Sequence, residues 1–282
     1  MRFIRTVKSL SCAAVLAAGT AILIPTNAGA AVACTGPALV AAINAANTAN
    51  GGNVVLTPGC TYTLTTSNAT GANGPDGLPM ITTAITLTGD HNTITRSAAA
   101  GTPAFRIAEV TNTGSLTLKL VTLSNGSAVG AGGGILNFGA VTLTGSALTN
   151  NKASGTGGGL SNADVSAPAT GTAATFTDST VSGNTASGRG GGIYNGLRGT
   201  LTTTNTPVKS NTSSQAQGGG IAVINSTATT LTSTPVSSNS GSGGAGGIFR
   251  LGGTMTTTSS PITGNTPNNC VASSPAVPSC TN

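Results

Sequence analysis

The hexapeptide GGGIYN at 190–195 is one copy of a motif that organises most of the chain. Two earlier copies read GGGILN at 132–137 and GGGLSN at 157–162, and shortened copies begin at Gly218 and Gly246. The apolar residue of the motif recurs at intervals of 25, 33, 28 and 27 residues. A repeat of roughly 20–50 residues is the signature of stacked architectures, so each copy is expected to mark one structural unit.

Two further landmarks keep the same period. An apolar residue precedes an asparagine by three positions, and a Thr-x-Thr segment lies six residues upstream of that apolar residue. The asparagines are Asn151, Asn184, Asn211, Asn239 and Asn265. The threonines are Thr142, Thr144, Thr175, Thr177, Thr202, Thr204, Thr230, Thr232, Thr256 and Thr258. Each unit therefore carries short segments of period two, bounded by Gly, Asn and Ser, which is the pattern of short strands between turns.

Such a unit cannot bury a face alone, but units stacked in register about 4.8 Å apart bury a continuous narrow interior. We predict an all-β fold, a parallel β-helix (solenoid) of about eight coils. Aliphatic residues such as Val141 and Leu143 point inward, the threonines point outward, and the asparagines form a stacked ladder that satisfies the turns. A propeller needs longer repeats, and collagen needs Gly at every third residue.

The sequences near the two ends of the chain predict segments that cover the first and last coils of the solenoid. Residues 37–47 begin with Pro37 and place apolar residues at helical spacing, which indicates a short helix over the first coil. We assign residues 31–50 to this N-terminal cap, 51–268 to the parallel β-helix and 269–282 to a closing tail. Residues 163–172 predict a loop, and Pro207, Pro235 and Pro261 predict a short or irregular strand, because proline removes a backbone donor.

Residues 1–30 have the composition of a secretory signal peptide. Arg2, Arg5 and Lys8 precede an apolar stretch over 13–24, and Ala28-Gly29-Ala30 offers a cleavage site. The apolar stretch is too short to span a bilayer. Cleavage after Ala33 is the alternative and would expose Cys34, as in a lipoprotein. The expectation is a protein that is secreted and released, with no membrane span.

Four cysteines remain after the leader, and four cysteines allow three pairings. Their positions favour Cys34–Cys60 and Cys270–Cys280, because each pair lies near one chain end with no cysteine between its members. An oxidising compartment would make these pairs disulfides. Unpaired buried thiols are an alternative, and zinc is a weaker one, since the only histidine, His91, lies far from them in sequence.

Composition excludes several functions. The 282 residues include 42 glycines, no tryptophan, eleven Lys and Arg, five Asp and Glu, and 2% aromatics. The leader takes three of the cations with it, so the remaining charge does not suit a nucleic-acid partner. A mean hydropathy of +0.21 argues against intrinsic disorder. The sequence predicts no cofactor and no metal.

Residues 50–62, NGGNVVLTPGCTY, resemble the entry coil of pectate-lyase-like β-helix proteins. The Gly-Gly-Gly-Ile-x-Asn units resemble the repeats of polymorphic outer-membrane (Pmp-type) proteins. Nearly all of the chain after the leader resembles secreted actinobacterial β-helix repeat proteins. These resemblances imply a right-handed helix and an extracellular setting. They imply no single activity, since this fold hosts lyases, hydrolases, adhesins and tailspikes.

The sequence contains few residues that could form a catalytic site. Resemblance to pectate lyases would imply clustered calcium ligands with a catalytic Arg or Lys, and these motifs are missing from the sequence. No two of the five carboxylates are expected to lie one coil apart in a shared register. The weak candidates are Asp164 and Asp178, with Arg189 or Arg198 nearby, if the loop folds back. His91 is expected at a surface turn without an orienting partner, because Asp90 should point elsewhere.

The leading expectation is a secreted, non-catalytic β-helix that acts as a surface, adhesion or matrix-interaction scaffold, with an extracellular glycan or a cell-surface protein as partner. The alternative is a polysaccharide lyase or glycoside hydrolase with an unrecognised site. A third hypothesis is ice binding, because a file of Thr-x-Thr pairs resembles the ice-binding face of β-solenoid antifreeze proteins. Lys119 interrupts that file.

Overall fold

The protein is a parallel β-solenoid of about seven turns, slightly fewer than the eight expected, with one helix near its N-terminal end. The computed structural model describes residues 30–162 and 171–282. The leader expected over 1–30 therefore lies almost wholly outside the described residues, and so does most of the predicted loop 163–172. The helix spans Gly36–Thr48. Thr35 is its N-cap residue, and the Thr35 hydroxyl accepts a hydrogen bond from the Ala38 amide at 3.3 Å.

Each full turn contributes four short strands, and equivalent strands stack in four columns. The first column contains Gly52–Val55, the first halves of Ala84–Arg96 and Ser115–Ser124, Ala140–Thr144, Ala173–Thr177, Thr200–Thr204, Ala228–Thr232 and Thr254–Thr258. The second contains Thr61–Leu64, the second halves of the same two long strands, Ala147–Thr149, Thr180–Ser182, Val208–Lys209, Val236–Ser237 and Ile262–Thr263.

The third and fourth columns are shorter. The third contains Ser127–Ala128, Lys152–Ala153, Thr185–Ala186, Thr212–Ser213, Ser240–Ala245 and Thr266–Asn268. The fourth contains Ala108–Val110, Ile135–Asn137, Leu160–Asn162, Ile193–Asn195, Ile221–Ile224 and Ile248–Leu251. The two remaining strands, Ala69–Gly71 and Gly74–Asp76, form an antiparallel hairpin beside the first turns.

The interior is a narrow aliphatic core that runs the length of the stack. The first column supplies inward side chains that are at most 5% exposed: Ile85, Leu87, Leu116, Leu118, Val141, Leu143, Ala174, Phe176, Leu201, Leu231 and Met255. Three inward positions hold threonine, and all three are hydrogen-bonded. Thr257, on the last rung, donates to the Pro278 carbonyl at 2.9 Å. Thr203 accepts from the Thr234 hydroxyl at 3.0 Å, and Thr229 accepts from Asn195 at 2.9 Å. Alternation of inward aliphatic and outward hydroxyl residues therefore follows the sequence prediction.

The asparagine ladder, which we define as Asn151, Asn184, Asn211, Asn239 and Asn265, lies at the turn between the second and third columns. The Asn184 backbone amide and side-chain amide both donate to Asn211 Oδ1, at 2.9 and 3.0 Å. The Asn211 side chain in turn donates to Asn239 Oδ1 at 3.0 Å and to the Val181 carbonyl at 3.1 Å. The ladder is buried, so each amide satisfies backbone groups that water does not reach.

A second ladder comes from the asparagine of the glycine motif. Asn137 donates to Asn162 Oδ1, and Asn162 donates to Asn195 Oδ1, both at 2.7 Å. It ends where the sequence loses the asparagine, because Val223 and then Arg250 occupy the next two rungs. A third file of buried or nearly buried hydroxyls was not predicted: Ser146, Ser179, Thr206, Thr234 and Ser260. Its hydroxyls accept from backbone amides of the preceding coil, as Ser146 does from Val121 at 3.1 Å.

The glycine triplets are required by close packing between coils. Gly190 has φ 71°, a left-handed conformation that favours glycine. A Cβ on the middle residue, Gly191, would collide with the backbone of Thr212 in the next coil. The proline prediction is also confirmed, because the strands that follow Pro207, Pro235 and Pro261 are two residues long, whereas Ala147–Thr149 and Thr180–Ser182, which lack the proline, are three.

Both ends of the solenoid are covered. The helix packs Leu39 and Ile43 onto the first coil, and a disulfide joins Cys34 to Cys60 with Cα atoms 5.6 Å apart. At the other end, Asn265 donates to Asn269 Oδ1 at 3.0 Å, so the asparagine ladder continues into the tail. A second disulfide, Cys270–Cys280, closes that tail. These are the two pairings that sequence position favours.

Replacing Asn211 with alanine is expected to destabilise the protein. The change leaves the Val181 carbonyl and the Asn184 amide buried without their partners, at a cost of about 1–3 kcal/mol for each group. We expect the free energy of unfolding, from urea denaturation, to fall by about 2–4 kcal/mol.

The matched control is Asn53→Ala, since Asn53 is exposed and its side chain accepts from the Thr88 hydroxyl at the surface. We expect that variant to stay within about 0.5 kcal/mol of the parent. Equal losses in the two variants would show that stacking of buried amides does not stabilise the solenoid.

Candidate functional site

The outward surface of the first column carries three parallel files of side chains, which we call the threonine face. Its middle file is threonine on seven successive rungs: Thr86, Thr117, Thr142, Thr175, Thr202, Thr230 and Thr256. A second file reads Thr88, Lys119, Thr144, Thr177, Thr204, Thr232 and Thr258. The third reads Ala84, Ser115, Ala140, Ala173, Thr200, Ala228 and Thr254. The ten threonines of the Thr-x-Thr segments are exposed or half-buried.

The files form a regular net of hydroxyl and methyl groups. Neighbouring rungs are about 4.8 Å apart, and residues two apart along a strand are about 6.7 Å apart. Thr256 and Thr230 lie close enough for their hydroxyls to hydrogen-bond at 3.3 Å. The register survives the 33-residue interval between Leu160 and Ile193, because Thr142 still pairs directly with Thr175. Extra residues are therefore absorbed outside the strands.

This surface is chemically uniform. Lys119 is the one charged side chain in the three files. Threonine is branched at Cβ, so its hydroxyl and methyl are held in few rotamers and lose little entropy on binding. The face can therefore donate and accept hydrogen bonds at fixed intervals while it offers methyl contacts, and Lys119 is the one titratable side chain of its files.

The carboxylate pair suggested from the sequence is described only in part. Asp164 lies outside the described residues, so its pairing with Asp178 stays a prediction. Asp178 is exposed at a turn with φ 50°, and its Oδ1 accepts from Asn205 at 2.7 Å. The Arg189 guanidinium lies over the Phe249 ring at 5.3 Å and donates to Gln217 at 3.2 Å. Arg198 is exposed, and within the described ranges neither arginine forms an ion pair with Asp178.

His91 is at the surface, as expected, but it lies within strand Ala84–Arg96, at an irregularity of the strand where its φ is 57°. The expectation that Asp90 would point elsewhere is wrong, since His91 Nδ1 lies 2.7 Å from Asp90 Oδ1. The left-handed conformation of His91 turns its ring back toward the preceding residue. Both side chains are strongly exposed, at 88% and 62%, so water screens this pair.

A charged cluster that sequence reasoning missed lies beside the hairpin. Arg106 donates through Nη1 to Asp76 Oδ1 at 2.8 Å and to Glu109 Oε2 at 3.1 Å. Its Nη2 donates to the Asn73 carbonyl, and the Asn73 side chain donates to Glu109 Oε1 at 3.0 Å. Asp76, Arg106 and Glu109 are 0%, 1% and 4% exposed. Two carboxylates do therefore meet, contrary to expectation, because the hairpin folds back over the fourth column.

Burial dominates the electrostatics of this cluster. Loss of hydration raises the pKa of Asp76 to about 7, and the nearby Glu109 carboxylate acts in the same direction. Arg106 opposes that rise, but it is shared between two carboxylates. A buried acid beside a second carboxylate has the composition of a glycosidase acid–base pair. No side chain of the cluster faces solvent, however, so we interpret it as a structural attachment of the hairpin.

Among the described residues, grooves lie at both ends of the stack. Two flank the helix: one of about 260 Å³ between Val40 and Thr63, and one of about 420 Å³ between Ala45 and Val54. A third, of about 280 Å³, lies in the closing tail around Val277. Across residues 30–162 and 171–282, no three metal-ligating side chains come together. Within the same residues, no helix has the length and apolarity needed to cross a bilayer.

Comparison of the chain with protein-family models, with curated proteins and with solved structures finds no significant match. The function must therefore be argued from the threonine face and the buried cluster themselves.

The sequence contained a clear signal for one of these features and almost none for the other. Periodic Thr-x-Thr segments locate the threonine face directly. Asp76, Arg106 and Glu109 belong to no repeat, and Arg106 and Asp76 are 30 residues apart. The available hint was that Arg106 and Glu109 lie three residues apart within an otherwise uncharged stretch.

Replacing Arg106 with methionine is expected to destabilise the N-terminal part of the solenoid. Methionine keeps much of the side-chain volume but leaves Asp76 and Glu109 buried without their cation. Removing one partner of a buried pair costs about 3–5 kcal/mol. We expect a loss of that order in the free energy of unfolding, from urea denaturation monitored by circular dichroism.

Arg198→Met serves as the control, because Arg198 is exposed and forms no ion pair in the described part of the chain. A stability change below about 0.5 kcal/mol is expected there. If Arg106→Met proved equally neutral, the cluster would not hold the hairpin.

Proposed function

We propose that this chain is a secreted, non-catalytic β-helix protein that acts as an extracellular surface, adhesion or matrix-interaction scaffold, with the threonine face as its contact surface. A right-handed, pectate-lyase-like form of the solenoid with Pmp-type repeats belongs to the same proposal, as does cleavage of the leader. The observation that carries the proposal is the unbroken middle file of seven threonines.

Three properties of that file support binding rather than catalysis. It is regular over the depth of the stack, it is nearly uncharged, and its side chains are rigid. A large and repetitive partner, such as a glycan chain or a cell-surface protein, would meet the same groups on each rung. Multiple weak contacts of this kind gain affinity through multivalency. Two disulfides, one near each end, suit an oxidising extracellular setting.

Charging the threonine face is expected to abolish binding. The double variant Thr202→Lys/Thr230→Lys places two cations on adjacent rungs of the middle file. We expect loss of at least about tenfold in affinity, which corresponds to about 1.4 kcal/mol. Binding of residues 31–282 to a glycan array and to immobilised cell-wall material measures the effect.

The matched control is Thr185→Lys/Thr212→Lys, which changes adjacent rungs of the third column. Those threonines have the same half-buried character, and Lys152 already occupies the rung next to Thr185. Equal loss in both variants would argue against the threonine face. Cleavage of pectin, alginate or a glycosaminoglycan by the parent, abolished by Asp178→Ala, would contradict the non-catalytic proposal and favour the lyase or hydrolase alternative.

Ice is a second candidate ligand, favoured by one observation. The middle and second files place hydroxyls and methyls at regular intervals in two directions, and a crystalline lattice is the partner that matches such a net over its whole area. The face also lacks the aromatic side chains that stack on sugar rings, since its files contain none.

If the threonine face binds ice, the parent should inhibit ice recrystallisation at micromolar concentration, because adsorbed protein blocks growth of the crystal surface. Thr202→Lys/Thr230→Lys should lose that inhibition, since a hydrated ammonium does not fit the lattice. Thr185→Lys/Thr212→Lys should retain it. Absence of inhibition by the parent would eliminate this candidate and leave the scaffold proposal intact.

A further inference from the structure

The hairpin formed by Ala69–Gly71 and Gly74–Asp76 is attached to the solenoid in an unusual way. Residues 69–75 are small or polar, and none of them is buried. The base of the hairpin is anchored by backbone bonds, since Gly77 donates to the Arg106 carbonyl at 2.8 Å and Arg106 donates to the Pro75 carbonyl at 3.2 Å. The tip therefore has no apolar anchor of its own.

Polar contacts to the buried cluster hold the tip instead. Asn73, at the turn, accepts from Arg106 Nη2 and donates to Glu109 Oε1 at 3.0 Å. Asp76, at the end of the hairpin, accepts from Arg106 Nη1 at 2.8 Å. One guanidinium thus connects both ends of the second hairpin strand to the first strand of the fourth column.

The charges of this cluster do not balance when both acids are ionised. Two carboxylates and one guanidinium leave a net negative charge in a site that water does not reach. The second oxygen of Asp76, Oδ2, is buried and has no hydrogen-bond partner. A carboxylate oxygen in that position loses its hydration without compensation, which disfavours the ionised form. One proton on Asp76 makes the cluster neutral.

The other groups near Asp76 do not supply a compensating charge. The loop over residues 126–133 contributes the Ala131 carbonyl, which accepts from Arg106 Nε at 3.4 Å, and contains no ionisable side chain. Phe105 and Leu64 pack against Gly77 beside Asp76. Arg96 lies over the Phe105 ring at 5.6 Å, and its guanidinium donates to the carbonyls of Pro103 and Thr102.

We propose that the 69–76 hairpin is a proton-controlled clasp, closed while the Asp76–Arg106–Glu109 cluster holds one proton and released at its tip when that proton leaves. Release lets water reach Asp76 and removes the cost of the buried negative charge. It also uncovers the Arg106 guanidinium and both carboxylates on the N-terminal part of the fourth column. The backbone bonds at Pro75 and Gly77 act as the hinge.

The direction of the pH dependence follows from linkage. Burial raises the pKa of Asp76 from its ordinary 3.8 to about 7 in the closed form, so the closed form binds the proton more tightly than the open form does. The clasp is therefore most stable in acid. As the pH rises from about 4 to about 7, the equilibrium constant for closing the clasp falls by up to about tenfold per pH unit. Above about pH 7 the constant no longer changes.

Amide hydrogen exchange of the full chain tests this clasp. We expect protection of amides in residues 68–76, corrected for the intrinsic effect of pH on exchange, to fall at least about tenfold between about pH 5 and about pH 7.5. Amides of the asparagine ladder serve as the internal reference and should not change. Asp76→Asn removes the proton-binding group and leaves one guanidinium paired with one carboxylate, so its hairpin should stay protected at both values.

Asp90→Asn is the matched control, because Asp90 is an exposed acid outside the cluster, and it should keep the pH dependence of the parent. Equal protection of the parent hairpin at both pH values would overturn the proposal, as would a pH dependence that persists in Asp76→Asn. If Asp76→Asn does not fold, NMR titration of the Asp76 carboxyl carbon in the parent decides. A measured pKa below about 5 overturns the clasp, and one near 7 supports it.

Discussion

Stacking of buried side-chain amides is the constraint on which the rest of this structure depends. Every amide of the asparagine ladder bonds to the next asparagine and to a backbone carbonyl of the preceding coil. A shift of one residue between coils would leave several of these buried groups without partners, and each such group costs more than an ordinary hydrogen bond contributes. The ladder therefore permits one vertical register, and it does so independently of the aliphatic core, which tolerates exchange of one apolar residue for another.

A single register has consequences at the surface. Because equivalent residues lie directly above one another, a preference for threonine at two outward positions becomes two files, of which the middle one is unbroken and the second is interrupted by Lys119. Variation in coil length does not disturb them, since the irregularity inside strand Ala84–Arg96 falls between Thr88 and Asn92, after the residues of the files. The same reasoning explains the glycines, whose missing side chains let neighbouring turns approach. A surface of this regularity is a property of the stack and not of any one coil.

The charged side chains, unlike the threonines and asparagines, do not follow the repeat. In the described repeats of the solenoid they are sparse and are exposed, as at Asp178 and Lys119, or half-buried, as at Arg189 and Arg250. The buried ion pairs of the described residues are confined to the first turns, where the hairpin interrupts the repeat. Buried charge is costly, so its position beside a segment without apolar anchors is informative. The N-terminal region combines a helical cap with Asp76, whose burial costs less free energy when the carboxyl is protonated. The C-terminal cap depends on a disulfide and on continuation of the asparagine ladder.

The amino-acid sequence by itself determined the parallel solenoid, the inward and outward positions, the ladder residues such as Asn184 and Asn211, and the short strands after proline. These features arise from a local pattern that every coil repeats, so one period is enough to predict them. Only the tertiary structure decided that Asp76, Arg106 and Glu109 meet, that Asp90 contacts His91, and that the stack has about seven turns. Those contacts depend on how non-repeating segments fold back onto the coils, which no periodicity encodes.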